Sequence, residues 1–304
     1  MDRDNLILFL LDFYCKSNNL HEKYDEIIDI LKSENMINVD TSKWVVPAIL
    51  QKQSQKILFP SNFEIEGKIG EGSYGTITKV FNRLDQQHYA LKIIENEDNL
   101  EEDKFLREIR LLAFLDHPNI VRYHTSWVDS NKLFYIMELC DKNLTKYIET
   151  REIIDDFTNK KIFKQIGNGV SYIHSKGILH RDLTTNNILM KDNVVKIADF
   201  GLSIKKENPK QITMGSDEYG TISYLAPECV KMNHYSVYTD YYALGIILFL
   251  LYSQFTTQME KYKSLENLRE MKKVDKYLNV NFPDIVKIIF DLIEIEPTKR
   301  KIDF

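Results

Sequence analysis

The spacing of apolar residues along this chain changes from helical to alternating and back again. Leu6, Phe9, Leu10 and Phe13 recur at helical spacing, and Ile27, Ile28, Ile30 and Leu31 form a second apolar stripe. Residues 1–56 therefore read as a separate helical module, either a small hairpin packed on its neighbour or one with a dimerisation or regulatory role, and the Gln/Lys/Ser stretch Gln51–Lys56 reads as the linker that ends it. From Phe63 to about Met137 the pattern is that of strands, with one helix near Leu100–Phe114. Leu133–Cys140 is an apolar strand that runs into a polar connector. From Leu144 onward helical patterning dominates. The expected fold class is α+β, with residues 57–304 divided into a β-rich part, 57–140, and a helical part, 141–304.

At 304 residues, 43% hydrophobic and 12% aromatic, the chain can bury a substantial core and form more than one folding unit. A net charge of −5 gives no reason to expect nucleic acid or an anionic membrane as partner. Cys15, Cys140 and Cys229 are odd in number, far apart and outside any CxxC spacing, so they read as free thiols in a reducing compartment. The apolar run Leu6–Leu11 is too short to span a membrane, and Asp12 follows it with no cleavage site. A soluble, cytoplasmic protein is expected, with no internal repeat.

The chemistry concentrates in His180-Arg181-Asp182-Leu183, then Asn187, then Asp199-Phe200-Gly201 twelve residues further on. That order places two carboxylates and an amide around one pocket: a base, and two oxygen ligands for a cation. Upstream, Ile69-Gly70-Glu71-Gly72-Ser73-Tyr74-Gly75-Thr76-Ile77 is a glycine-rich turn between two strand-like segments. Its glycines let backbone N–H groups approach phosphates, although ordinary hairpins share the pattern. Ala90-Leu91-Lys92 follows, with Lys92 placed 17 residues after Gly75, and Glu108 stands in the helix at Phe105–Arg110. Alone, Lys92 is a solvated strand lysine and Glu108 an exposed helix residue; together they read as an ion pair.

In this order, residues 63–300 resemble a eukaryotic protein kinase domain. The resemblance implies a bilobal fold, a β-rich small lobe over a helical large lobe, that uses ATP and Mg²⁺. It makes Asp182 the base or orienter of the substrate hydroxyl, and Asn187 and Asp199 the magnesium ligands. Lys92, paired with Glu108, contacts the α- and β-phosphates. Gly70, Glu71, Gly72, Ser73, Tyr74 and Gly75 cover the phosphates. Ile69, Ile77, Ala90 and Leu189 sandwich the purine, though a plain core role serves these four equally well. Met137 lies behind the adenine, and the backbone of Glu138 and Cys140 hydrogen-bonds it. His180 and Phe200 pack beneath the site. Ala226-Pro227-Glu228 closes the activation segment, which holds Thr213, Ser216, Tyr219 and Thr221. Ser216 is the expected phosphosite, with Arg181 as its clamp. Asp240 and Gly245 fit the helix that anchors the catalytic loop, and Arg300 fits the partner of Glu228.

Three segments further resemble the kinases of the α subunit of eukaryotic translation initiation factor 2: His117–Trp127, Met137–Cys140 and Phe255–Lys261. The Arg122–Trp127 wording is similar to the haem-regulated inhibitor branch. The resemblance implies phosphorylation of a serine on that factor, which slows translation under stress, with Phe255–Lys261 opening the helix that docks the substrate. A homodimer is compatible with it.

The chain also departs from the pattern. Thr184-Thr185 replaces the usual Lys-Pro, and no cysteine precedes a proline, so the haem motif is missing; His21 is the only N-terminal imidazole. Leu58 and Asn62 stand where many members form a dimer salt bridge, and only Val128–Lys132 separates the fourth and fifth strands. The sequence ends four residues after Arg300, so the usual last helix is not expected. A pseudokinase that regulates by docking, and a kinase for another substrate such as a cell-cycle regulator, are the competing readings.

Overall fold

A computed structural model describes residues 62–72, 75–95, 106–129, 132–205, 213–214 and 222–301. The chain divides into two units, Met1–Ile57 and Leu58–Phe304. The helical module expected over 1–56 lies outside the described residues, as does Cys15.

The second unit begins with a five-stranded antiparallel sheet. Strands β1 (Phe63–Gly72), β2 (Gly75–Asn82), β3 (Gln87–Glu95), β4 (Tyr123–Asp129) and β5 (Lys132–Glu138) lie in the order β1-β2-β3-β5-β4. Period-two alternation separates its faces. Leu91 and Ile136 join Val80 in a small outer cluster backed by Trp127 and Phe134, whose rings stack at 5.3 Å. Ala90, Tyr135 and Met137 belong instead to the main core. On that inner face, Lys92 is registered with Ile77 on one side and Tyr135 on the other. The turn between β4 and β5 is shorter than the Val128–Lys132 gap expected, because both strands extend into it.

Helix α1 (Arg107–Phe114) covers the described part of the helix expected near Leu100–Phe114 and buries Glu108, Leu111 and Leu112. The helical part contains α2 (Leu144–Thr150), α3 (Asp156–Ser175), α4 (Pro227–Met232), α5 (Val237–Leu251), α6 (Gln258–Met271), α7 (Lys276–Asn281) and α8 (Pro283–Leu292). Short polar side chains start several of them: Asn143, Asp155, Ser236, Thr257 and Asp275 each accept a backbone N–H of the first turn. Helix α5 is apolar on every side and is buried accordingly. It packs closely on α8 because Gly245 has no side chain: a Cβ there would come within 2.7 Å of Ile293 and 2.9 Å of Leu292. One continuous core runs from Ala90 and Met137 through α3 and α5 to Leu292.

Between these helices lie short ribbons that the helical patterning did not announce. They are β6 (Lys142–Asn143), β8 (Ile188–Lys191) and β9 (Val194–Ile197) in one sheet, β7 (Ile178–Leu179) with β10 (Ile204–Lys205), and β11 (Thr213–Met214) with β12 (His234–Tyr235). The first two ribbons hold the loops that carry the polar motif.

Candidate active site

Lys92 projects from the middle of β3 on the inner face of the sheet. Its Nζ lies 3.0 Å from each carboxylate oxygen of Glu108 on α1 and 3.1 Å from Oδ1 of Asp199. Lys92 and Glu108 are almost fully buried, at 3% and 4% exposure. Burial works against the ammonium, yet the charges of Glu108 and Asp199 hold Lys92 well above the usual lysine range. The same contest at Asp199 ends with Lys92 prevailing, and its carboxyl is held below the ordinary value.

The second half of the site is the loop between β7 and β8. Asp240, on the buried α5, accepts the backbone N–H groups of His180 and Arg181, each at 3.0 Å. His174, at the end of α3, adds its Nε2 at 2.7 Å from the same carboxylate. These bonds hold Arg181 at φ +70°, and Asp199 is likewise left-handed at φ +64°; both are costly for residues with a side chain. Beneath the loop, His180 donates from Nε2 to the Ala198 carbonyl at 3.2 Å, its Nδ1 accepts the Asp182 N–H at 3.4 Å, and its ring packs on Phe200. Asn187 then donates from Nδ2 to the Asp182 carbonyl at 2.8 Å and to its Oδ2 at 2.9 Å. The amide nitrogen is thereby used, and the amide oxygen is the end left for a cation.

The nucleotide-facing residues come from several strands. Gly70 pairs with Ile77, and Ala90 with Met137, in the sheet register. Ile69 is 51% exposed, which does not suit a core role, whereas Ala90 and Met137 are buried at 7% each and Ile77 and Leu189 are half-buried. Gly75 (φ +151°) cannot carry a side chain, since a Cβ would lie 2.1 Å from the Ile93 carbonyl oxygen. Glu71 is exposed and paired with Lys68 at 2.7 Å; Gly72 ends β1 opposite Gly75; Ser73 and Tyr74 lie outside the described residues. The Glu138 side chain turns away to structural work. It accepts the Arg122 N–H at 2.8 Å and meets Lys196 of β9 at 2.8 Å, which ties β5 to the helical lobe. Cys140 is half-buried and its thiol is pushed up to about 12, chiefly by burial.

Arg181 lies with its guanidinium 4.1 Å over the ring of Tyr235, and Tyr235 pairs with Thr213 across β11–β12. Ser216, Tyr219 and Thr221 lie outside the described residues. Thr184 is buried, and both its carbonyl and its hydroxyl accept the Asn187 N–H, at 3.1 and 3.3 Å. Neither His174 nor Lys196 stood out in the sequence. No motif marks them, because their partners, Asp240 and Glu138, are 66 and 58 residues away.

The donors at Asn187 and Asp199 are hard oxygens. Among the described residues no cluster of three or more His, Cys, Asp or Glu side chains forms a closed metal cage. An open pair of this kind suits Mg²⁺, which takes one or two protein oxygens and completes its shell with water and phosphate. The residues present therefore fit that ion.

Residues 63–301 match the protein kinase domain family. The chain is 36% identical over 232 residues to the interferon-induced, double-stranded RNA-activated protein kinase of Mus musculus, covering 70% of this chain and 44% of that protein. It is 30% identical over 253 residues to an Aurora kinase of Saccharomyces cerevisiae, covering 81% of this chain and 67% of the relative. A third relative, the serine/threonine-protein kinase Nek11 of Macaca fascicularis, is 32% identical over 209 residues, 64% of this chain and 32% of its own length. This chain thus spans less than half of the mouse protein. With that match and this geometry together, the chain belongs to the protein kinase family.

Proposed function

We propose that the site moves the γ-phosphoryl group of ATP to a protein hydroxyl with the residues in the following roles. The observation that carries this is the bridging of Lys92 between Glu108 and Asp199, with Asp182 and Asn187 bonded to each other on the facing loop. Lys92, fixed and charged, neutralises the non-transferred phosphates. Asp182 orients the acceptor hydroxyl and takes its proton. Asn187 and Asp199 hold Mg²⁺, which supplies the charge that offsets what develops on the phosphoryl oxygens. Ile69, Ile77, Ala90, Met137 and Leu189 enclose the base, and the backbone at Glu138 and Cys140 reads its edge.

The narrower reading is that the acceptor is a serine of the α subunit of translation initiation factor 2, in the cytoplasm, with reduced protein synthesis as the result. His117–Trp127, Met137–Cys140 and Phe255–Lys261 support it by their resemblance to that kinase family. Asn62, at one of the dimer salt-bridge positions, donates instead to Asn82 of its own chain at 3.2 Å, so a homodimer of this chain needs other contacts. No helix among the described residues is long and apolar enough to cross a membrane.

The test is incubation with ATP, Mg²⁺ and either the purified factor or casein, with Asp182→Asn as control. Transfer to the factor that Asp182→Asn abolishes is expected. Transfer to casein alone removes the narrower reading. Transfer to neither, with ATP still bound, favours a docking pseudokinase, the reading that the buried Thr184 at the lysine position supports.

A further inference from the structure

The catalytic loop carries Thr184-Thr185 where serine/threonine kinases usually have Lys-Pro, and Thr185 makes contacts a proline could not make. Thr185 is only 2% exposed. Its hydroxyl lies 2.8 Å from the Tyr224 hydroxyl and 2.7 Å from that of Thr145. Its N–H donates to the Tyr224 oxygen at 3.5 Å, and its carbonyl accepts the Thr145 N–H at 3.1 Å. The Thr145 hydroxyl can donate to Thr185 or to the Asn186 side-chain oxygen, each at 2.7 Å. One side chain thus joins the first turn of α2, the catalytic loop and the 3₁₀ turn Ile222–Tyr224. Proline has neither a hydroxyl nor an N–H to offer.

The turn held this way borders the reactive carboxylate. Tyr224, Leu225 and Ala226 line one small cavity together with Arg181 and Asp182. From the opposite side, Arg269 of α6 donates to the carbonyls of Ile222 and Leu225, each at 3.0 Å. The turn is therefore clamped between α6 and the catalytic loop, and Thr185 supplies the inner half of the clamp. Burial pushes the Tyr224 phenol up, and either hydroxyl of the Thr185–Tyr224 pair can donate to the other. Thr145 and Thr185 also floor a groove of about 360 Å³ walled by Ile148, Phe255, Gln258 and Lys261. An alcohol brought to Asp182 therefore arrives beside this turn, which lines the same cavity.

We infer that Thr185 is a positioning residue: through Tyr224 it fixes the 222–226 turn beside Asp182, and so governs how tightly the protein acceptor, rather than ATP, is held. The inference rests on kinase membership and not on the identity of the acceptor.

The experiment uses the full chain and its Thr185→Val, Thr185→Ser, Thr185→Pro and Tyr224→Phe variants, with casein as acceptor. Thr185→Val, Thr185→Pro and Tyr224→Phe are expected to raise KM for casein about five- to tenfold, the size of one lost hydrogen bond, with KM for ATP within about twofold. Thr185→Ser restores the wild-type value, and Thr185→Val combined with Tyr224→Phe is no worse than either alone. Amide hydrogen exchange, which needs no acceptor, is expected to speed up about tenfold in residues 222–226 of Thr185→Val while β8 and β9 are unchanged. Unaltered exchange at 222–226 overturns the inference. So does an equal shift in both KM values, or a Thr185→Pro variant that matches wild type.

Discussion

Arg300 grips Glu228 in a two-pronged bond: Nη1 lies 2.6 Å from Oε1 and Nη2 2.8 Å from Oε2, across 72 positions of sequence. The remaining guanidinium hydrogens go to the carbonyls of Glu294, Tyr238 and Ile295, and the group sits 5.0 Å from the centre of the Tyr242 ring. Arg300 is 1% exposed, so the end of the activation segment is pinned inside the large lobe by a fully desolvated charge pair.

Removing one partner of such a pair strands the other charge. Arg300→Met is expected to cost about 3–5 kcal/mol, read as a lower urea midpoint. Arg300→Lys should recover little, because an ammonium cannot reproduce the fork. A midpoint for Arg300→Met equal to wild type contradicts this.

Asp240 links acid stability to the geometry of the catalytic loop. Burial favours its neutral form, but the bond from His174, the nearby imidazoles of His174 and His180, and the His180 backbone N–H together hold it below its ordinary value of 3.8. A folded-state pKa below the unfolded one means that this stabilisation is complete above 3.8 and is lost as pH falls through the lower folded value. Asp240→Asn should therefore be less stable at neutral pH, with a flatter decline as pH falls below 3.8. It should also lose activity, since the amide nitrogen cannot accept an N–H from the loop. Parallel pH–stability curves for the two proteins argue against the assignment.

Thr184 stands where a lysine usually meets the γ-phosphate, and it spends its hydroxyl on Asn187 N–H instead. Thr184→Lys is expected to raise kcat about tenfold, a fraction of the ~10³-fold that a well-placed cation can contribute. The shortfall reflects the buried start of that side chain. A steady-state kcat that stays level or falls shows that Thr184 already sits in the arrangement this site requires.

Cys140, in the connector after β5, carries a thiol pushed up to about 12 by burial. Alkylation by iodoacetamide at pH ~8 should then run on the order of 10³-fold slower than for an unperturbed cysteine, for want of thiolate. Peptide mapping that finds Cys140 labelled as fast as a free thiol is the contrary result.

The polar motif was legible in the sequence because kinase chemistry demands fixed residue types at short, fixed spacings. Asp182 and Asn187 are five residues apart and bond within one loop, so their relation is almost a local property. Lys92 and Glu108, 16 apart, could be paired by residue type across a strand and a helix. The competing core role for Ile69, Ile77, Ala90 and Leu189 could not be settled that way, because an apolar residue lining a cleft and one in a core have the same chemistry. Exposure separates Ile69 from the others, and exposure exists only once the sheet has formed.

What the sequence determined by itself was a strand-rich part followed by a helical one, and the acid, amide and lysine proposed for the site; that Gly75 also has to let Ile93 approach closely is a fact of the folded sheet. The tertiary structure alone decided which groups hold those residues in place. Asp240 reaches the loop from 59 positions away, His174 seconds it from α3, and Lys196 claims the Glu138 carboxylate. Only folding brings Thr145, Thr185 and Tyr224 onto one hydroxyl chain. Local spacing specifies residues that must react together. Long-range packing specifies their supports, since a buried donor or acceptor takes whichever partner the fold delivers, and no short pattern records that choice.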